Sequence, residues 1–121
     1  TVILIYVSMR IFNFSRKRLV CEDCIRVSPL LRLMFQRPHP VYFVLPVSPL
    51  LRSFSRYPAL HTFFVFGSID VFSLKNNRVV DIKRNFRPFT FYTSKAIADT
   101  VVELPVGMAR QIDVGDGISI S

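Results

Sequence analysis

The chain has 121 residues and a mass of 14.0 kDa; half of the residues are hydrophobic, Phe occurs twelve times and Trp never, and the net charge is +8. That length suits one domain with a real buried core. Its long apolar stretches, Pro38–Leu51 and Tyr57–Leu74, are interrupted by Pro38, Pro40, Pro46, Pro49, Pro58, Gly67 and Asp70, whereas a spanning helix needs about 20 mostly apolar residues without such breaks, so no membrane segment is expected.

The opening TVILIYVS is apolar, but no basic residue precedes it and no small-residue cleavage site follows, so it makes a poor signal peptide. Residues 1–8 read as an upstream extension or an added N-terminal strand, with a single domain running over 9–121 from Met9. From there the pattern is mostly strand. Residues 9–14 and 18–27 predict a hairpin turned by Ser15-Arg16-Lys17-Arg18, and Ser28-Pro29 places an N-cap and a first-turn Pro before the short helix LLRLMF. Val41–Pro46 is a compact strand, followed by a polar, Pro-containing connection over 47–58. Strands over 59–66 and 69–74 meet at Gly67-Ser68, and Asn76-Asn77 suits a tight turn into a return strand over 78–84, because Asn tolerates positive φ. Thr93-Ser94 predicts a cap for a short helix SKAIAD, Val101–Pro105 a strand, and Gly115-Asp116 a turn into a last strand over 118–121. The hexamer VSPLLR occurs at 27–32 and 47–52; two copies do not make a stacked repeat.

Few motifs carry chemistry. Cys21-Glu22-Asp23-Cys24 is a CxxC without a second pair; residues three apart on a regular strand point to opposite faces, and no helix N-terminus activates either thiol. The pair reads as structural, no metal site or cofactor is expected, and free thiols suit a reducing, cytoplasmic location. No Gly-x-Ser-x-Gly elbow, HExxH or phosphate loop occurs. The charge is lopsided: residues 1–66 hold nine Arg or Lys against two acids, and residues 67–121 seven against six. A basic half and the run Lys83-Arg84-Asn85-Phe86-Arg87, with aromatics up to Tyr92, suit stacking of bases and tracking of phosphates. The alternative is an edge strand with aromatics inward and charges outward, which is the preferred reading.

Asp70 stands out as one acid in the apolar run HTFFVFGSIDVFSL. Charged side chains are almost never buried without a partner. A structural reading has Asp70 accepting bonds from loop amides or from an Arg such as Arg87. A functional one has it forming a polar spot with His61 in an apolar cleft, and a bulge at Gly67 would bring the two to one face.

The blocks SPLLRLMFQR, VYFVLP, LHTFFVFGSIDVFSL, RVVDIKRNFRPF, FYTSKAIADTVVELPVG and IDVGDGISIS together resemble, in order and spacing, the domain-of-unknown-function family one hundred and ninety-two in its archaeal-like form. The resemblance covers roughly Met9 to Ser121. It implies a compact, mostly antiparallel β domain with short helices and no established activity or cofactor. Met34, Phe35, His61, Thr62, Phe63, Asp70, Pro88, Glu103, Gly107, Gly115 and Asp116 match its positions. Arg32 stands where the pattern usually has Gly, and the 47–58 connection is longer than usual.

The expected fold is therefore α+β, mostly antiparallel β: a small twisted sheet or partial barrel with two or three short helices. The first functional reading is a non-enzymatic module binding a small ligand or a protein through His61, Asp70, Arg87 and Tyr92. The second is a nucleic-acid-binding module using Arg16, Lys17, Arg18, Lys83, Arg84 and Arg87. The third is a small hydrolase using His61 and Asp70.

Overall fold

Strand order follows from where the turns fall. Ser8–Asn13 (β1) and Arg18–Arg26 (β2) pair antiparallel about a turn in which Lys17 takes φ 53°. Ile69–Lys75 (β5) and Arg78–Phe86 (β6) pair about Asn76 and Asn77, both at positive φ (51° and 63°), the conformation that tight hairpins require and Asn tolerates. The other strands are Val41–Val44 (β3), Ala59–His61 (β4), Phe91–Thr93 (β7), Thr100–Pro105 (β8) and Ile118–Ile120 (β9). The structure, a computed structural model, describes residues 8–27, 39–45, 59–61, 67–87, 90–94 and 96–121, with backbone alone for 59–61, 91 and 93.

Seven strands form one sheet in the order β6-β5-β8-β3-β2-β1-β9, and β4 pairs with β7 in a separate ribbon. Among the described residues only the β2–β3 contact is parallel, through Ile25↔Val41 and Arg26↔Tyr42. The two edge strands approach each other at one end, where Arg78 bridges Gly117 and Val79 N–H donates to Asp116 O. The sheet is thus curled into a half-barrel. Its β1–β9 side is fastened by Arg10 and Ser121, whose amides donate to each other's carbonyls at 2.6 and 2.9 Å.

Curling gives the sheet two apolar faces. Ile11, Cys24, Phe72, Leu74, Val102, Leu104, Ile112 and Ile118 fill the first cluster; Val41, Phe43, Ile69, Val71, Phe86 and Val101 form the second. β5 is buried along Ile69–Leu74, which explains why its sequence runs apolar instead of alternating: both of its faces are covered. Burial of each large side chain there contributes on the order of 2 kcal/mol.

The α+β expectation is corrected to an all-β architecture, because the described residues contain no helix. Of the segment expected to be the helix SKAIAD, the described residues, 94 and 96–99, are irregular and lead from β7 to β8, and Lys95 lies outside the described residues. Ser94 Oγ, the supposed N-cap, closes a short turn instead, accepting from Ala96 N–H at 3.3 Å and donating to Ala96 O. Asp99 then donates its N–H to Leu74 O, accepts from Leu45 N–H and caps Asn76 N–H with its carboxylate. Those backbone groups are committed to the sheet and cannot close helical turns. The other expected helix, LLRLMF, lies outside the described residues, as do residues 1–7 and the 47–58 connection.

Candidate binding groove

Asp70 is 2% exposed, and its carboxylate is occupied by backbone. Oδ1 accepts from Asn85 N–H at 3.0 Å; Oδ2 accepts from Gly107 N–H at 2.8 Å and Ala109 N–H at 3.1 Å. The register supplies the space: Ile69 pairs with Phe86 and Val71 with Lys83, so β6 carries one extra residue opposite Asp70. That bulge lies at Arg84-Asn85, with Asn85 at φ 53°, and the carboxylate fills the gap it leaves. Bonds to an ionised acceptor are the stronger kind, so Asp70 pins β6 to the loop after β8.

That loop, 106–116, is held from two further sides. Arg84 donates to Ala109 O and Ile112 O and lies 3.6 Å from Asp113. Arg16 donates to Asp113 and, at 2.8 Å, to Asp116 Oδ2, which also accepts from Asn13 Nδ2 and Asp113 N–H at 3.0 Å each. Burial alone would raise the Asp116 pKa; the donors from Asp113, Asn13 and Arg16, with the Arg16 charge, outweigh it and hold the carboxyl below its ordinary value.

Between this loop and the β1–β2 hairpin lies a cavity of about 200 Å3 lined by Asn13, Arg18, Leu19, Val20, Gly107, Met108, Arg110, Gln111 and Ile112. Arg18 donates from Nη1 to Gln111 Oε1. Leu19 and Met108 remain 45% and 37% exposed at its mouth. Asp70 reaches this groove only indirectly, through the amides of Gly107 and Ala109 that it fixes.

Asp70 and Tyr92, two of the expected site residues, lie on different faces of the sheet. Asp70 alternates with Phe72 and Leu74 of the first cluster, whereas Tyr92 packs on the second, edge-on to Phe86 at 6.2 Å. Tyr92 donates its hydroxyl to Asp81 Oδ2 at 2.7 Å and lies beneath Lys83 Nζ, 5.7 Å from the ring centroid. Burial, reinforced by Asp81, pushes the Tyr92 hydroxyl pKa up to about 12. Arg87 is exposed just after β6, and its carbonyl accepts from Thr90 Oγ1 at 2.5 Å. His61 lies in β4 opposite Phe91; its side chain is outside what is described, and the bulge near Asp70 falls on β6, not at Gly67.

The six basic residues read as a phosphate track split the same way. Arg16 and Arg84 hold the 106–116 loop, Arg18 lines the groove, Lys83 covers Tyr92, Lys17 sits in the β1–β2 turn, and Arg87 follows the end of β6. A second buried carboxylate, Glu103, is fully buried on β8 between Val41 and Val71. Its neighbours Val102 and Leu104 belong to the first cluster, so Glu103 faces the second, away from Asp70. The sequence marked Glu103 as a family position; the alternation in TVVELP also places it on a core face.

The cysteine geometry is corrected. Two register shifts in β1–β2, between Met9 and Ile11 and between Ile11 and Phe12, break the regular alternation of β2. Cys21 and Cys24 are therefore both buried in the first cluster, as free thiols. Among the described residues no group of three or more His, Cys, Asp or Glu is placed to hold a metal.

A UPF0127 protein of Thermococcus gammatolerans is 40% identical over 84 residues, covering 69% of this chain and 51% of that protein. A UPF0127 protein of Pyrococcus horikoshii is 36% identical over 92 residues, which cover 73% of this chain and 75% of that protein. The chain belongs to the UPF0127 family. No family model matches it. This UPF0127 chain spans about half the length of the Thermococcus relative. A solved structure from Sinorhizobium meliloti, described as a candidate transcription regulator, superposes with a TM-score of 0.71 at 19% identity over 97% of this chain and 96% of that one. At that identity the likeness is one of fold. No helix among the described residues of the UPF0127 chain is long and apolar enough to cross a membrane.

Proposed function

We propose that this domain is a non-enzymatic ligand-binding module and that its site is the groove between the β1–β2 hairpin and the 106–112 loop. The observation that carries this reading is the Asp70 carboxylate. It is sealed from solvent and accepts from three backbone N–H donors, so it serves as a scaffold for one wall of an open cavity and not as an acid or base. A general base must reach the proton it removes within hydrogen-bond distance or through one water. The hydrolase reading built on His61 and Asp70 is therefore set aside.

The nucleic-acid reading ranks second. Its best cations, Arg16 and Arg84, are matched by Asp113 and Asp116 or by loop carbonyls, and the remainder fall on different faces. The finer assignment to the domain-of-unknown-function family rests on the six blocks quoted above and belongs to the same proposal, as does a cytoplasmic location, which two free buried thiols support.

The test is a fragment screen read by amide resonances of labelled protein. Binding in the groove should move Arg18–Val20 and Gly107–Ile112 and leave β7 unmoved. Fragments that move only Tyr92 and its neighbours would relocate the site to the other face. Duplex and single-stranded DNA at low salt serve as the competing probes, since phosphate-driven binding weakens steeply as salt rises.

A further inference from the structure

Resting on that reading of the groove, we infer that its ligand is a small amphiphilic carboxylate, with the acid on Arg18 and Arg110 and the apolar part against Leu19 and Met108. Charge is matched unevenly around the 106–116 loop. Four arginines, Arg16, Arg18, Arg84 and Arg110, lie on or against it, and its acids are Asp113 and Asp116. Both acids are engaged by Arg16, and Asp113 also by Arg84. Among the described residues neither Arg18 nor Arg110 has a carboxylate partner, and both line the cavity. Two arginines that line one small cavity without a carboxylate partner among the described residues give it a positive potential that favours an anion.

The donor set favours a carboxylate. A guanidinium offers five N–H donors in a planar fork suited to paired carboxylate oxygens. Arg18 spends one of its donors on Gln111 Oε1, which orients the fork while leaving the other donors open. The apolar part follows from the mouth of the cavity, where Leu19 and Met108 stay substantially exposed beside those charges. Size sets the limit: about 200 Å3 is below the roughly 300–1,000 Å3 of pockets that enclose drug-sized ligands. A head group and a short chain fit; a large cofactor does not.

The experiment titrates labelled protein with hexanoate, hexylamine and inorganic phosphate at constant ionic strength. Hexanoate should shift Arg18–Val20 and Gly107–Ile112 saturably, and hexylamine should not. Arg18→Gln and Arg110→Gln should each weaken hexanoate about tenfold, the loss expected for one charge-assisted bond. Lys17→Gln, outside the groove, should change nothing. Dispersed spectra of each variant establish that it is folded. Equal shifts from hexylamine overturn the inference, and phosphate binding as tightly as hexanoate overturns the amphiphilic part of it. A neutral fragment that occupies the groove where hexanoate does not would overturn the carboxylate and leave the groove standing. Silence from every probe, neutral fragments included, would overturn both.

Discussion

Asn85 adopts φ 53° and donates its N–H to Asp70 Oδ1 at 3.0 Å, so a left-handed residue in one strand is stabilised by a carboxylate from the next. Oδ2 of the same side chain holds Gly107 and Ala109. Asp70→Asn keeps the shape but replaces one accepting oxygen by an NH2 group facing N–H donors. It should destabilise the fold by about 3 kcal/mol, the scale for losing bonds to a buried charge and leaving a donor unsatisfied. Urea denaturation measures the loss, and amide exchange should accelerate first at Asn85, Gly107 and Ala109. Wild-type stability in this variant would contradict the scaffold role.

Asp116 makes stability depend on acid. Its folded pKa is depressed below the ordinary 3.8, so its contribution is present above that pH and is lost as pH falls through the lower folded value. Denaturation midpoints should therefore drop below about pH 4. Asp116→Asn should lower stability at pH 7 and flatten that acid limb. An unchanged acid limb in the variant would assign it to other carboxyls.

The two thiols set the opposite limb. Burial first, then the neighbouring Cys21, pushes the Cys24 thiol up to about 12, and burial also raises Cys21. A raised folded pKa means that the contribution is complete below the ordinary thiol value of 9.0 and declines as pH rises toward 12. At pH 8 both thiols should react with a thiol-specific disulfide reagent far more slowly than in denaturant, because the thiolate is the reactive form. Rapid labelling of the native protein would show that the β1–β2 hairpin opens readily.

Two glycines should respond differently to Ala. Gly107 has φ 94°, and a Cβ there meets nothing closer than Arg110 Nη2 at 3.8 Å. Its cost, about 1–2 kcal/mol, is one of backbone conformation. At Gly117 a Cβ would lie 2.1 Å from the Phe14 ring. Phe14 is 47% exposed, so the ring can swing away at the expense of its packing. In a double-mutant cycle Phe14→Ala should remove the cost of Gly117→Ala and leave that of Gly107→Ala intact.

What the sequence made legible was local. Asn76-Asn77 announced a hairpin because its requirement, positive φ, is a property of single residues. Asp70 stands out as an acid in an apolar run, and loop amides are among the partners such an acid calls for. The Ser94 cap signal misled because the same hydroxyl closes an isolated turn as readily as it opens a helix, and the competing sheet bonds of Asp99 came from residues distant in the chain. Bulges hid the shared face of Cys21 and Cys24, since each shift inverts the alternation that strand reading depends on. The groove was not legible: Arg16 meets Asp116, and Arg18 meets Gln111, across most of the chain, and no local pattern encodes which cations find acids and which do not.

The backbone pairing of Arg10 with Ser121 has a kinetic consequence. Completing that edge closes a loop of about a hundred residues, an entropic cost on the order of 4 kcal/mol incurred before the contacts repay it. Folding should accordingly be slow for the size of the domain. On the ribosome, β1 meets its other partner, β2, early but must wait for β9, which is made some hundred residues later, leaving one flank of the young hairpin exposed in the interval.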